Sequence, residues 1–291
     1  MIKVFYDPRQ TAKTNNSFSP SAQKPAKVIE SIKKLGIDYE VASFNPIKRE
    51  DLYRIHSKAY VDGVLDLKKP NGFSNRLKEV VDALIWVSGS MTAAAKWAYN
   101  KNSITLSPTS GAHHAGYDFG GGFCTFNFLV LAALEVIDLG AEKIGIVDMD
   151  NHYGNGTADI IRRLKIDNIA HYTFGGDSYS RNTQRWLTNL PKKLSALFGD
   201  CDFIIYNAGV DSHIDDPLGG VLSTDELRQR DEIVFEELFD RMNKPIAISL
   251  AGGYQRDTNG DISKVLNLHN NTILAAYNYI KKRRIPVSKV C

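Results

Sequence analysis

"KIGIVDMD", residues 143–150, is a short apolar run that ends in two acids. It has strand length and no regular polar alternation, so it reads as a strand buried on both faces. The form recurs in "CDFIIYNAGVD" (201–211), and in "PIAISLAGGY" (245–254), which ends in Gly-Gly-Tyr. "IKVFY" (2–6) reads as a first strand. Between these lie helical patterns: "FNFLVLAALEVIDLG", "GTADIIRRLK" and "STDELRQRDEIVFEELFDRM". Strands alternating with helices predict an α/β fold, with a central, predominantly parallel β-sheet flanked by helices on both faces. Ligands in such folds bind outside the carboxyl ends of the strands. The unusual residues of this chain fall there.

Further helices are expected over 19–36, ending at Gly36 as a C-cap, and over 49–67 and 83–99. Ser88 and Gly89 are small enough for close packing. Thr224, followed by Asp225 and Glu226, reads as a helix start. No internal repeat, low-complexity tract or linker is evident, so residues 1–291 are read as one domain.

The 291 residues are 43% hydrophobic and 24% charged, which fits a globular protein with a sizeable core. A formal net charge of +3 is too weak to argue for nucleic acid or an anionic membrane as partner. Apolar runs are too short and too interrupted to span a bilayer. Cys124, Cys201 and Cys291 are odd in number and far apart, which fits free thiols in a reducing compartment. With an N-terminus unlike a signal peptide, the expected location is cytoplasmic. Homo-oligomerisation is left open.

"DMDNHYGNG" (148–156) is the strongest chemical signal. Asp150 and His152 are two apart and face the same way in an extended segment. Carboxylate oxygen with imidazole nitrogen suits Zn²⁺, or another divalent ion such as Fe²⁺. Asp148 points to the same side and could orient a ligand. Asp211 projects from a second strand end and completes three protein donors, leaving positions open for water and substrate. Taken alone, each motif is better read as an N-cap acid, a surface histidine or a turn. Asp216, before Pro217, reads as a turn former.

"GAHHAGYDFGGGFC" (111–124) holds two of the chain's seven histidines side by side. On a loop, His113 and His114 can both be aimed at one spot. There they could divide the base and acid work that hydrolysis needs. Tyr254, after a Gly-Gly turn, could donate to a developing oxyanion. Gly120, Gly121 and Gly122 could form a narrow slot with Phe123 packing flat on an elongated substrate. Jointly these parts meet the requirements for metal-assisted hydrolysis of an amide.

"SGAHHAGYDFGGGFCTFN", "DMDNHYGNGT", "NAGVDSHIDDPLGG" and "LAGGY", in this order, resemble the metal-dependent histone deacetylase and acetylpolyamine amidohydrolase superfamily. "LYRIHSKAYVDGV" matches its N-terminal region more weakly. The resemblance spans nearly the whole chain and implies the arginase-like α/β fold. It makes Asp150, His152 and Asp211 the metal ligands. His113 and His114 become the paired histidines, the second usually treated as general base. Asp148 becomes the acid bonded to the first histidine, and Tyr254 the residue that polarises the scissile carbonyl. Gly122 and Phe123 match the wall of the acyl-lysine tunnel. A structural K⁺ site is implied at backbone oxygens near Asp148, Asp150 and His152, with Thr173 contributing. Asn155 stands where many members carry an aspartate that pairs with the second histidine. Tyr153 replaces a residue that is commonly histidine. "SPSAQKPAKV" lacks the usual His-Pro-Glu-Arg-Pro wording, and the 69–80 region shows no acidic residue of the kind that grips a peptide backbone.

The expected activity is therefore that of a zinc-dependent amidohydrolase, a deacetylase, acting on an N-acetyl or N-acyl amine such as acetyl-lysine or an acetylpolyamine. Two alternatives stand beside it. One is a two-metal ureohydrolase, for which "DSHIDDP" offers Asp211, His213 and Asp215. The other is a catalytically silent acyl-amine binding module.

Overall fold

The computed structural model describes residues 1–177 and 182–284, so Cys291 lies outside the described residues. Among the described residues, seven strands form one sheet: β1 (Ile2–Phe5), β2 (Tyr39–Ala42), β3 (Ile104–Ser107), β4 (Ile144–Asp148), β5 (Ile169–Thr173), β6 (Phe203–Asn207) and β7 (Ile246–Ser249). Their order is β2-β1-β3-β7-β6-β4-β5, and every pairing is parallel.

Side chains alternate across the pleat and feed two cores. Ile204 and Tyr206 of β6 face one core, with helices Lys24–Ile32, Thr183–Phe198, Thr224–Val234 and Ser263–Arg284. Phe203 and Ile205 face the other, with Lys78–Lys101, Phe128–Ile137 and Asn155–Leu164. Apolar residues on both faces of each central strand are why these runs lack a polar period.

The four expected strands are present, and β2, β3 and β5 are additions. β2 is a half-exposed edge strand, Tyr-Glu-Val-Ala, and carries little apolar signal. The single helix expected over 49–67 is instead two, Arg49–Leu52 and Lys58–Leu65. Ser57 breaks it by accepting from the Tyr60 N–H, as an N-cap does. The helix in 19–36 is shorter, Lys24–Ile32, and Gly36 sits beyond it at φ +66°. A helix starts at Thr224 as expected, Thr224–Val234, with Ser223 as its cap in a capping box with Glu226. Gly89 lies in the 24-residue helix Lys78–Lys101, where an added Cβ would stand 2.6 Å from the Asn45 carbonyl oxygen.

Candidate metal centre and active site

Parallel register places one row of polar residues across the carboxyl end of the sheet. Ser107 pairs with Ser249, Ser249 with Asn207, Asn207 with Asp148 and Asp148 with Thr173. The row is wired. Ser249 donates to Asn207 Oδ1 (2.7 Å), and Asn207 Nδ2 donates to Asp148 Oδ1 (2.7 Å). Asp148 Oδ2 then meets His113 Nδ1 at 2.7 Å. Every side chain in that chain is buried, so each bond replaces water that the group cannot reach.

Just past the row, Asp150, His152 and Asp211 converge. His152 Nδ1 lies 3.1 Å from Asp150 Oδ1 and 2.9 Å from Asp211 Oδ2, and the donor atoms of all three lie within 4.8 Å of one another. Four donors around an ion at zinc distances stand roughly 3.3 Å apart, so two carboxylates and one imidazole nitrogen at these separations fit a divalent ion. Among the described residues this is the one cluster of such donors. Gly252 comes so close that an added Cβ would stand 2.4 Å from Asp211 Oδ1. Hydrogen bonds to both acids push His152 up to about 10. Burial and the adjacent Asp150 carboxylate push Asp211 up.

His113 and His114 lie side by side with ring centroids 4.0 Å apart and planes tilted by 49°, and His113 Nε2 reaches to 3.5 Å from Asp150 Oδ1. Their environments drive them apart. Burial opposes charge on His113, but Asp148 and Asp150 outweigh it and raise its pKa to about 9. Burial and the neighbouring His113 lower that of His114. His114 Nδ1 donates to Asn155 Oδ1 at 2.6 Å, which leaves Nε2 with its lone pair in the neutral ring. Gly122, at φ +53°, fits close under that ring, where a Cβ would stand 2.5 Å from His114 Cδ2.

Phe123 also adopts a left-handed backbone, φ +65°, and its ring lies 5.4 Å from that of Tyr254. Phe18 and Phe73 flank Phe123 at 5.3 and 5.8 Å, so more aromatic rings gather there than the sequence suggested. Tyr254 is buried and its phenol is held well above its usual pKa, first by burial and then by Asp150 and Asp211. Thr173 Oγ1 accepts from the Gly154 N–H at 3.1 Å, beside Asp148 in register.

The ureohydrolase set does not assemble. His213 turns away from the cluster, with Nε2 at Thr224 Oγ1 (3.0 Å) and Nδ1 accepting from the Asp215 N–H (3.1 Å) and Gln255 Nε2 (3.2 Å). Asp215 is exposed. Several neighbours escaped the sequence reading. Lys24 is fully buried and donates to the Gly252 carbonyl (2.5 Å), with His269 Nε2 at 3.2 Å; burial lowers its pKa to about 7. It opens the helix Lys24–Ile32, within the 19–28 stretch whose wording departs from the superfamily's. His171 Nε2 is buried without a hydrogen-bond partner beside Gly154 and Asp148. Neither residue belongs to a motif, and only the fold brings them here.

An all-parallel seven-stranded sheet with this acid–imidazole cluster at its carboxyl edge defines the class, an α/β protein of the arginase/deacetylase-like fold. Residues 19–174, more than half of the chain, match the family model of the histone deacetylase domain, and the chain belongs to that family. The match includes both histidines, Asp150 and His152 but ends before Asp211 and Tyr254. The chain is 26% identical over 287 residues to histone deacetylase 18 of Arabidopsis thaliana, covering 80% of this chain and 42% of that protein. Acetylpolyamine amidohydrolase of Mycoplana ramosa is 30% identical over 173 residues, 49% of each chain. The chain thus spans about half the length of these two relatives. The solved structure of an acetylpolyamine aminohydrolase from Burkholderia pseudomallei superposes with a TM-score of 0.75 at 16% identity, covering 95% of this chain and 98% of that one.

Proposed function

We propose that this chain is a metal-dependent amidohydrolase, a deacetylase, that cleaves the N-acyl amide of an amine such as acetyl-lysine or an acetylpolyamine. The observation that carries it is the convergence of Asp150, His152 and Asp211 beside two adjacent histidines, one bonded to a carboxylate, Asp148, and the other to an amide, Asn155. The resident ion is Zn²⁺ or Fe²⁺, on the strength of a mixed nitrogen and oxygen donor set with three protein ligands. When bound it supplies a Lewis acid for the acyl carbonyl and lowers the pKa of water.

The chain's own residues do the rest. Neutral His114, with Nδ1 fixed on Asn155, presents Nε2 as the base that takes the proton of the attacking water. His113 is held by Asp148, whose carboxylate favours the imidazolium, and as a cation it would offset the negative charge of the tetrahedral state. The proton on His114 passes to the leaving amine. Tyr254 stays protonated and donates its hydroxyl to the same oxyanion. Phe123 and Gly122 bound the slot for the acyl-amine stem, and His113 and its acid Asp148 are shielded from bulk water. A structural K⁺ would sit at backbone oxygens of Asp148, Asp150 and His152 with Thr173. The chain acts as one cytoplasmic catalytic domain on a small acylated amine, without nucleic acid or membrane as partner. No helix among the described residues is long and apolar enough to cross a membrane.

The test is acetate release from a fluorogenic acetyl-lysine amide and from an acetylated polyamine, after chelation and after reloading with Zn²⁺ or Fe²⁺. Activity that vanishes with the chelator and returns with the metal supports the reading. Metal-independent turnover, or none on either substrate after reloading, overturns it.

A further inference from the structure

Tyr254 is carried by a turn that cannot place it unaided. Gly252 and Gly253 have φ of +57° and +88°. A Cβ on the first would strike Asp211, and one on the second would stand 2.6 Å from Val265 and 2.8 Å from Val210. The turn therefore needs glycine, the residue with the weakest conformational preference of its own. Something outside it must hold the tyrosine.

We infer that Asp216 is the positioning residue that fixes Tyr254 for the proposed reaction, an inference that rests on that reading of the site. Asp216 Oδ2 accepts the Tyr254 backbone N–H at 2.8 Å, and Oδ1 accepts the Leu218 N–H at 3.0 Å. Its own N–H donates to the His213 carbonyl (2.9 Å), and its carbonyl accepts from Gly219 (3.1 Å). The carboxylate is thus locked by its own turn, and it is 6% exposed. A second strut joins the same two loops, Gln255 Nε2 to His213 Nδ1. Both start on the segment after Asp211 and end on Tyr254 or the residue after it. The loop that carries one metal-type donor therefore also holds the oxyanion donor, and the two keep a common frame. Asp216 touches no reacting atom and acts through Tyr254.

The experiment compares wild type, Asp216→Asn, Tyr254→Phe and the double variant by steady-state kinetics, and follows Tyr254 amide exchange by NMR without substrate. Asparagine has one oxygen for two N–H donors, so one loses its acceptor. Asp216→Ser serves as second variant. Its hydroxyl can still serve the local turn at Leu218 but is too short to reach Tyr254. The expected result is faster exchange at Tyr254 in both variants. With it comes a kcat lowered about 10- to 100-fold at nearly constant KM, and no further loss when Tyr254 is already Phe. Unchanged Tyr254 exchange, or an equal loss in the Tyr254→Phe background, overturns the inference. Absence of wild-type turnover would sink the amidohydrolase reading instead, while the exchange measurement still decides whether Asp216 holds Tyr254.

Discussion

His114 meets an amide where a carboxylate would fit. Asn155 orients the ring through Nδ1 but adds no negative charge, and burial together with His113 already lowers the pKa. Asn155→Asp would stabilise the imidazolium and raise that pKa. Because the base acts when neutral, the acidic limb of the kcat/KM profile should then move up by about one pH unit; an unmoved limb would remove His114 as base. Tyr254→Phe removes a preorganised donor and should cost roughly 10²- to 10³-fold in kcat. A loss below tenfold would leave Tyr254 as wall and not as donor. At this scale the sequence was informative where chemistry demands a rare residue: the histidine pair, the spaced Asp150 and His152, and Asp211 at a strand end. It was silent on Asn207, Ser249 and Lys24, whose partners come from chain segments far away in sequence. Asp216 read as a turn former, and it is one; its second bond, to the N–H of Tyr254, exists only once two loops meet.

The helix Lys78–Lys101 shows what sequence pattern can and cannot fix at the level of an element. Gly89 reads as a close-packing site, and the structure puts the 45–47 segment against it, with the Pro46 Cα 3.0 Å from where a Cβ would lie. Alanine would gain about 1 kcal/mol of helix propensity but force backbone apart at a cost of about 1–3 kcal/mol. Gly89→Ala should therefore lower the thermal midpoint, while a higher midpoint would show that the loop gives way. Most helix positions were readable because apolar spacing reports them directly, but Thr183–Phe198, interrupted by Pro191, was not expected. The break at 53–57 was not, because the apolar spacing runs on through it and only the Ser57 cap marks the stop. β2 and β5 were missed because edge strands are half solvated and carry polar residues such as Glu40 and His171.

Across the whole molecule, buried histidines tie stability to pH. His56 is fully buried, accepts from the Asn127 N–H and bonds the Gly116 carbonyl. Burial drives its pKa from 6.5 down to about 4. Between those values an unfolded chain binds a proton that the folded chain refuses, so stability is complete above pH 6.5 and falls as pH drops towards 4. The slope from this one group reaches about 1.4 kcal/mol per pH unit. His56→Gln should flatten the fall in thermal midpoint over that range, and an unchanged slope would assign it to other groups. The parallel sheet and its ligand-bearing edge were legible from three strand ends in the sequence. The strand order was not, because nothing local tells β7 to lie between β3 and β6. That order brings Asp150 and Asp211 together from adjacent strands, and the account depends on it. Elemental analysis of the purified chain by plasma mass spectrometry, beside Asp150→Ala and Asp211→Ala, tests it most directly. Each wild-type chain should hold one divalent ion and either variant almost none; a wild-type chain that stays metal-free after reloading, or variants that keep their metal, would show that these acids do not share an ion.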